Sequence, residues 1–197
     1  IAAFLGLSGI PADDKKTDPT GKESNEETDS EKVRRDAVAV AVQKYIETHN
    51  QREMPSDRLG TFPLNGMITS YFSTRQNPFY QVGAGEDAFE FHSGIDISAA
   101  ISTDILSYRD GIVSRVTYSK SYGNYLIITH NDELETLYAH CDNILVKEGD
   151  TVKEGQHIAV AGSTGRSTAR HLHFEIRIRG KAVDPLPYLP GKGAVLG

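Results

Sequence analysis

The sequence predicts a mainly β fold: an antiparallel β-sandwich or barrel-like domain preceded by a helix and a disordered linker. Three observations carry this. Between residues 60 and 190, short runs of alternating apolar and polar residues recur between clusters of Gly, Asn and Asp, and no stretch has a strong helical period. Residues 33–46 do have such a period, with apolar side chains at three- and four-residue intervals. Residues 11–30 contain no large hydrophobe, and their seven acids stand against three lysines. Such a tract cannot bury enough apolar surface to offset the entropy of ordering it, so it is read as a tether.

These shifts divide the chain. Residues 1–30 form an apolar N-terminal segment and a disordered acidic linker, 31–55 a helix and connection, 56–190 a single β domain and 191–197 a C-terminal tail. The first ten residues, IAAFLGLSGI, have two readings that the sequence leaves open: the end of an export signal or membrane anchor whose start lies N-terminal to this chain, or an ordinary short apolar end. The helix runs from about Ser30 to Asn50, with Thr28 and Glu31 at capping-box spacing and a stripe of Val33, Ala37, Val38, Ala41, Val42, Tyr45 and Ile46 expected to pack on the core, pairing with another chain being the alternative. Pro55 and its polar surroundings stop it.

Strands are expected at Met67–Phe72, Gly111–Thr117, Tyr125–Thr129, Glu135–His140, Ile158–Ala161 and His173–Ile178, with turns at Ser121–Asn124 and Asn131–Glu133. Residues 73–91 carry Pro78, Gly83 and Gly85 and read as a long irregular loop bordering a cleft. The net charge of −6, with no long basic run, gives nucleic-acid binding no electrostatic footprint. No apolar run approaches the ~20 residues that a membrane-spanning helix needs. The single Cys141 excludes an intramolecular disulfide framework.

The candidate chemistry gathers in three places. Alternation through His171–Arg179 puts His171 and His173 on the face that Leu172 does not share. His92-Ser93-Gly94-Ile95-Asp96 brings an imidazole and a carboxylate to a turn entering a strand, where His92 can fold back towards Asp96. In Glu135–His140, Thr136, Tyr138 and His140 oppose Leu137, Ala139 and Cys141, which makes Cys141 a packing residue rather than a ligand. Catalytic zinc takes three protein ligands from His, Asp and Glu and keeps a position for water, and neutral imidazoles suit the accompanying proton work. Five groups thus stand for three ligand and two acid/base roles, and spacing alone does not divide them.

These motifs, with Gly123-Asn124-Tyr125, Gly162–Thr168 and Val183-Asp184-Pro185, resemble those of the M23 peptidases, the lysostaphin-like or LytM-like zinc endopeptidases, over about Thr61–Leu189. The resemblance implies a β domain of the duplicated hybrid motif type, a bound Zn2+, and peptidoglycan peptides as substrate. It implies His92, Asp96 and His173 as metal ligands and His140 and His171 as the catalytic pair. It also implies an extracytoplasmic location: periplasm, cell envelope or secreted. Family relatives that act as catalytically idle wall-binding or hydrolase-activator domains usually lose some of these five residues, so their retention favours an enzyme. Ile144–Gln156 resembles the hairpin of biotinyl and lipoyl carriers, but no Met-Lys-Met or Asp-Lys-Ala marks a modified tip.

Overall fold

The computed structural model describes residues 28–49, 59–83, 85 and 87–191. The expected apolar segment, the linker as far as residue 27, the connection around Pro55 and all but the first residue of the tail lie outside the described residues, while Thr28–Ser30, counted with the linker, cap and open the helix. Helix α1 spans Asp29–Thr48. Its capping box is formed: the Thr28 hydroxyl accepts from Glu31 N at 3.2 Å and the Glu31 carboxylate accepts from Thr28 N at 2.9 Å. The apolar stripe is only partly used. Tyr45 is buried and Val38, Ala41, Val42 and Ile46 are half-buried, but Val33 is 68% exposed and Ala37 also faces solvent. The expectation that the whole stripe packs on the core therefore fails for its first half, where small side chains offer little area to bury, and α1 stays outside the central hydrophobic cluster.

Twelve strands follow: β1 (Ile68–Ser70), β2 (Ser73–Gln76), β3 (Phe89–His92), β4 (Ile95–Ser98), β5 (Asp104–Leu106), β6 (Gly111–Ser119), β7 (Gly123–Thr129), β8 (Leu134–Ile144), β9 (Thr151–Val152), β10 (His157–Ala161), β11 (His171–Ile178) and β12 (Lys181–Val183). A 3-10 turn, Leu186–Tyr188, closes the domain. The main antiparallel sheet has the order β1-β4-β11-β8-β7-β6-β9, with β12 beside β11 and β10 joining β8 to β5. The loop expected across residues 73–91 instead contains a small separate hairpin, β2–β3. Ser73-Thr74-Arg75-Gln76 lacks apolar alternation, so polar and ionic contacts rather than a buried face hold it, and no periodicity betrays it.

The core lies beneath one face of the sheet. Ile95, Ile97, Leu126, Ile128, Tyr138, Leu172, Phe174 and Ile176 are fully buried, and Phe174 packs against Tyr138 and Tyr108 with ring centroids 5.4 and 6.1 Å apart. At the β7–β8 turn the Asn131 carboxamide oxygen accepts from Glu133 N and Leu134 N at 2.9 and 2.8 Å. Strand β8 serves two neighbours in succession. Leu134–Ala139 pair with β11, and Cys141–Ile144 pair with β10. His140 is the residue at the division, in the left-handed region with φ 62°. Its N–H leaves the ladder and donates to Tyr122 O at 2.8 Å.

Candidate metal centre

The ladder between β4 and β11 builds the first part of the site. Its register sets His173 directly opposite Asp96, with Leu172 opposite Ile97 in the core below. Side chains of such cross-strand partners share a face, so the imidazole and carboxylate meet. His92 ends β3 and returns through Ser93-Gly94. The turn passes so close to β11 that a Cβ at Gly94 would lie 2.3 Å from Phe174 O, so only glycine fits.

The three side chains converge. Asp96 Oδ1 is 3.0 Å from both His92 Nε2 and His173 Nδ1, and those two nitrogens are 2.9 Å apart. All three residues are buried. Their outer contacts decide where the ring protons sit. His92 Nδ1 lies 2.9 Å from the Tyr71 carbonyl and His173 Nε2 lies 3.0 Å from Glu175 Oε1, so each neutral ring donates outward. The inner atoms are then two bare nitrogens and a carboxylate oxygen: three acceptors facing one another without a donor. A cation satisfies all three, and a His2Asp set suits a borderline metal such as zinc. Without a metal, protons compete for the same lone pairs. Burial opposes both charges, but the bonds between them hold the Asp96 carboxyl well below the usual carboxylate range and raise the His173 imidazole.

His140 and His171 flank this set. Their ring centroids are 4.6 Å apart, and both line a cleft of about 590 Å³ that also holds His92, Asp96 and His173. His140 Nδ1 donates to Thr164 O at 2.8 Å and His171 Nδ1 to Ala169 O at 2.7 Å. Each Nε2 is thereby left to face the cleft, that of His171 lying 3.6 Å from Asp96 Oδ1. Burial pushes the His140 imidazole down to about 4, against the opposing pull of the Thr164 carbonyl, so it is neutral at pH 7. Cys141 lies buried away from the ligand set, its thiol pushed up to about 12 by burial.

Sequence reasoning assigned no role to Glu175. Its side chain is fully buried, and Ser93 Oγ, Tyr122 OH and His173 Nε2 meet its Oε1 at 2.6, 2.7 and 3.0 Å, while Arg177 Nε donates to Oε2 at 2.7 Å. Burial opposes its charge, yet the bond to His173, with Ser93 and Arg177, holds its carboxyl down at about 2. It fixes the tautomer and tilt of His173, as outer carboxylates do for metal-binding imidazoles. The signal was present in the alternation: His171, His173 and Glu175 stand at successive period-2 positions of β11.

The model of Peptidase family M23 matches residues 90–185. A murein hydrolase activator of Escherichia coli, NlpD, is 50% identical over 103 residues, which are 50% of this chain and 26% of that protein. The peptidoglycan DD-endopeptidase ShyB of Vibrio cholerae is 47% identical over 95 residues, 48% of this chain and 22% of that protein. The matched segment thus spans about a quarter of the length of these relatives. Among solved structures, a zinc-containing peptidase from Vibrio cholerae superposes with a TM-score of 0.56 at 37% identity, covering 68% of this chain and 40% of that one. The catalytic domain of lysostaphin from Staphylococcus simulans gives 0.53 at 31%, covering 63% of this chain and 92% of that one. With its β domain matching 92% of a lysostaphin catalytic domain at 31% identity, the chain belongs to peptidase family M23.

Proposed function

We propose that the protein is a zinc-dependent endopeptidase that hydrolyses the peptide cross-links or stem peptides of bacterial peptidoglycan. One observation carries the proposal: three donorless metal-competent atoms and two imidazoles with bare Nε2 atoms face the same cleft. His92, Asp96 and His173 hold the metal. Zinc held there supplies a water acidified to about pKa 7 and a Lewis acid for the scissile carbonyl. His140, neutral at working pH, accepts the proton of the attacking water at Nε2, and its Nδ1–H bond to Thr164 O keeps the ring aimed. His140 then returns that proton to the departing amine, while the imidazolium form of His171 would hydrogen-bond the developing oxyanion from Nε2, which faces the same space. Ser121, Ser167 and Thr168 are among the polar residues that line the cleft and suit a polar peptide. Residues 56–190 are the peptidase domain, and a peptidoglycan substrate places it outside the cytoplasm.

Purified sacculi and metal analysis test this. His173→Ala should lose zinc and cleavage together. His140→Ala and His171→Ala should keep zinc while turnover drops by roughly 10²–10⁴. Mass spectrometry of the released fragments then names the bond by its new amine. A metal-free His173→Ala protein with full activity would refute the assignment. The likeness to a murein hydrolase activator supports a second reading, an idle domain that stimulates another wall hydrolase. Under it the zinc-loaded wild type leaves sacculi intact alone but accelerates that partner.

A further inference from the structure

The Asp96 carboxylate has a second oxygen, and it is occupied. Asp96 Oδ2 accepts from Arg75 Nη1 at 2.9 Å. Arg75 lies on β2, where the hairpin register sets it opposite Glu90 of β3. Its Nε and Nη2 reach Glu90 Oε1 at 3.3 and 3.2 Å, and Nη1 also contacts Ser70 Oγ. The other oxygen of Glu90 accepts from Arg166 Nη1 at 3.0 Å. Arg166 comes from the far wall of the cleft, its guanidinium 4.5 Å above the Phe79 ring and its Nη2 2.7 Å from Asn77 Oδ1. A chain of alternating charge, Arg166–Glu90–Arg75–Asp96, therefore runs from the cleft wall to the candidate ligand set.

A carboxylate can approach a metal through one oxygen or both. With Oδ2 held by a guanidinium, only Oδ1 faces His92 Nε2 and His173 Nδ1. We infer that Arg75 is a positioning residue of the metal centre, fixing Asp96 as a one-oxygen ligand, and that Glu90 holds the guanidinium in place to do so. The inference rests on the proposed metal site but concerns residues outside its three ligands. Its sign is distinctive. A positive side chain this close to a cation repels it, so charge alone predicts that removing Arg75 tightens metal binding. Positioning predicts the reverse, because a freed Asp96 must be ordered when metal binds.

The test measures zinc affinity of the full chain by competition with a chromophoric chelator for wild type, Arg75→Gln, Arg75→Lys and Glu90→Gln. The visible spectrum of each cobalt(II)-loaded protein is recorded alongside. Arg75→Gln should weaken zinc binding about ten- to hundredfold. Arg75→Lys, which keeps the charge without the planar fork, should recover only part of that, and Glu90→Gln should show a smaller loss. The cobalt bands of Arg75→Gln should weaken as Asp96 turns both oxygens to the metal and the coordination number rises. Affinity equal to or tighter than wild type in Arg75→Gln, or an unchanged cobalt spectrum, overturns the inference. If Arg75→Gln does not fold, wild-type affinity in both Arg75→Lys and Glu90→Gln overturns it equally. A wild-type chain that binds no zinc removes the proposed metal site itself, a failure visible before any variant is compared.

Discussion

Acidification should destabilise the fold through a residue away from the metal centre. His130 is buried, with Nδ1 donating to Asp110 O at 2.9 Å and Nε2 bonded to Thr136 Oγ1 at 2.8 Å, which in turn bonds the Tyr138 hydroxyl at 2.9 Å. Burial pushes its imidazole down from 6.5 to about 4, with the Arg109 charge adding to the effect and the Asp110 carbonyl opposing it. As the pH falls, the unfolded chain therefore takes up this proton first. The stabilisation is complete above pH 6.5 and is lost between there and about 4. At 1.36 kcal/mol per pKa unit the whole effect is about 3 kcal/mol, most of it gone by about pH 4.5. Urea unfolding at pH 7.5 and 4.5, with excess chelator at both, measures it against His130→Gln. Wild type should lose about 2–3 kcal/mol more than the variant across that interval. His140, also held near 4, contributes to both proteins alike and cancels. Parallel loss of stability in the two proteins would refute the reasoning.

Glu175→Gln should lower zinc affinity about 10- to 100-fold in chelator competition, because the Nε2–H of His173 loses its charged acceptor. The same change strands the half-buried Arg177 and should cost about 3 kcal/mol by urea denaturation. Gly123 has φ 65°, and a Cβ there would lie 2.4 Å from the Thr164 backbone that orients His140. Gly123→Ala should therefore destabilise by about 1–3 kcal/mol and slow sacculus cleavage at unchanged zinc content. Phe174→Ala empties a fully buried position between Tyr108 and Tyr138 and should cost about 3–5 kcal/mol, read as a lower urea midpoint.

The strands that were legible in the sequence are those with one buried face. In β11, the alternation of Leu172, Phe174 and Ile176 with His171, His173 and Glu175 is the sheet's own geometry written as hydrophobicity, so element and site face could be read together. Strands β2, β5, β9 and β12 have two to four residues each, too few for a period to emerge. The consequence was largest at β2, where a segment read as loop supplies Arg75. An arginine among Ser, Thr and Gln gives no local sign that its partner stands twenty-one positions later on another strand. The α1 stripe misled in the opposite direction. Ala39 and Val40 fall off the stripe and are exposed, so the helix is only weakly two-faced and the sheet covers just part of it.

The position of His140 explains why the site lies where it does. Asp96, His171 and His173 need only a regular antiparallel ladder, and His92 needs only a turn tight enough to require Gly94. An imidazole meeting them from the next strand is harder to place. A regular β8 would hold residue 140 in the ladder, its N–H committed to a neighbouring strand. By leaving β11 at Ala139 and joining β10 at Cys141, β8 frees a single residue between two firmly paired segments. That residue takes the left-handed conformation, its N–H goes to Tyr122 O, and its ring is aimed by Thr164 O. A non-glycine residue there costs of order 1–3 kcal/mol. The pairing on both sides, with Cys141 and Ala139 fully buried, holds it in place. The division of the sheet is thus the event that brings His140 to the same cleft as His92, Asp96, His171 and His173.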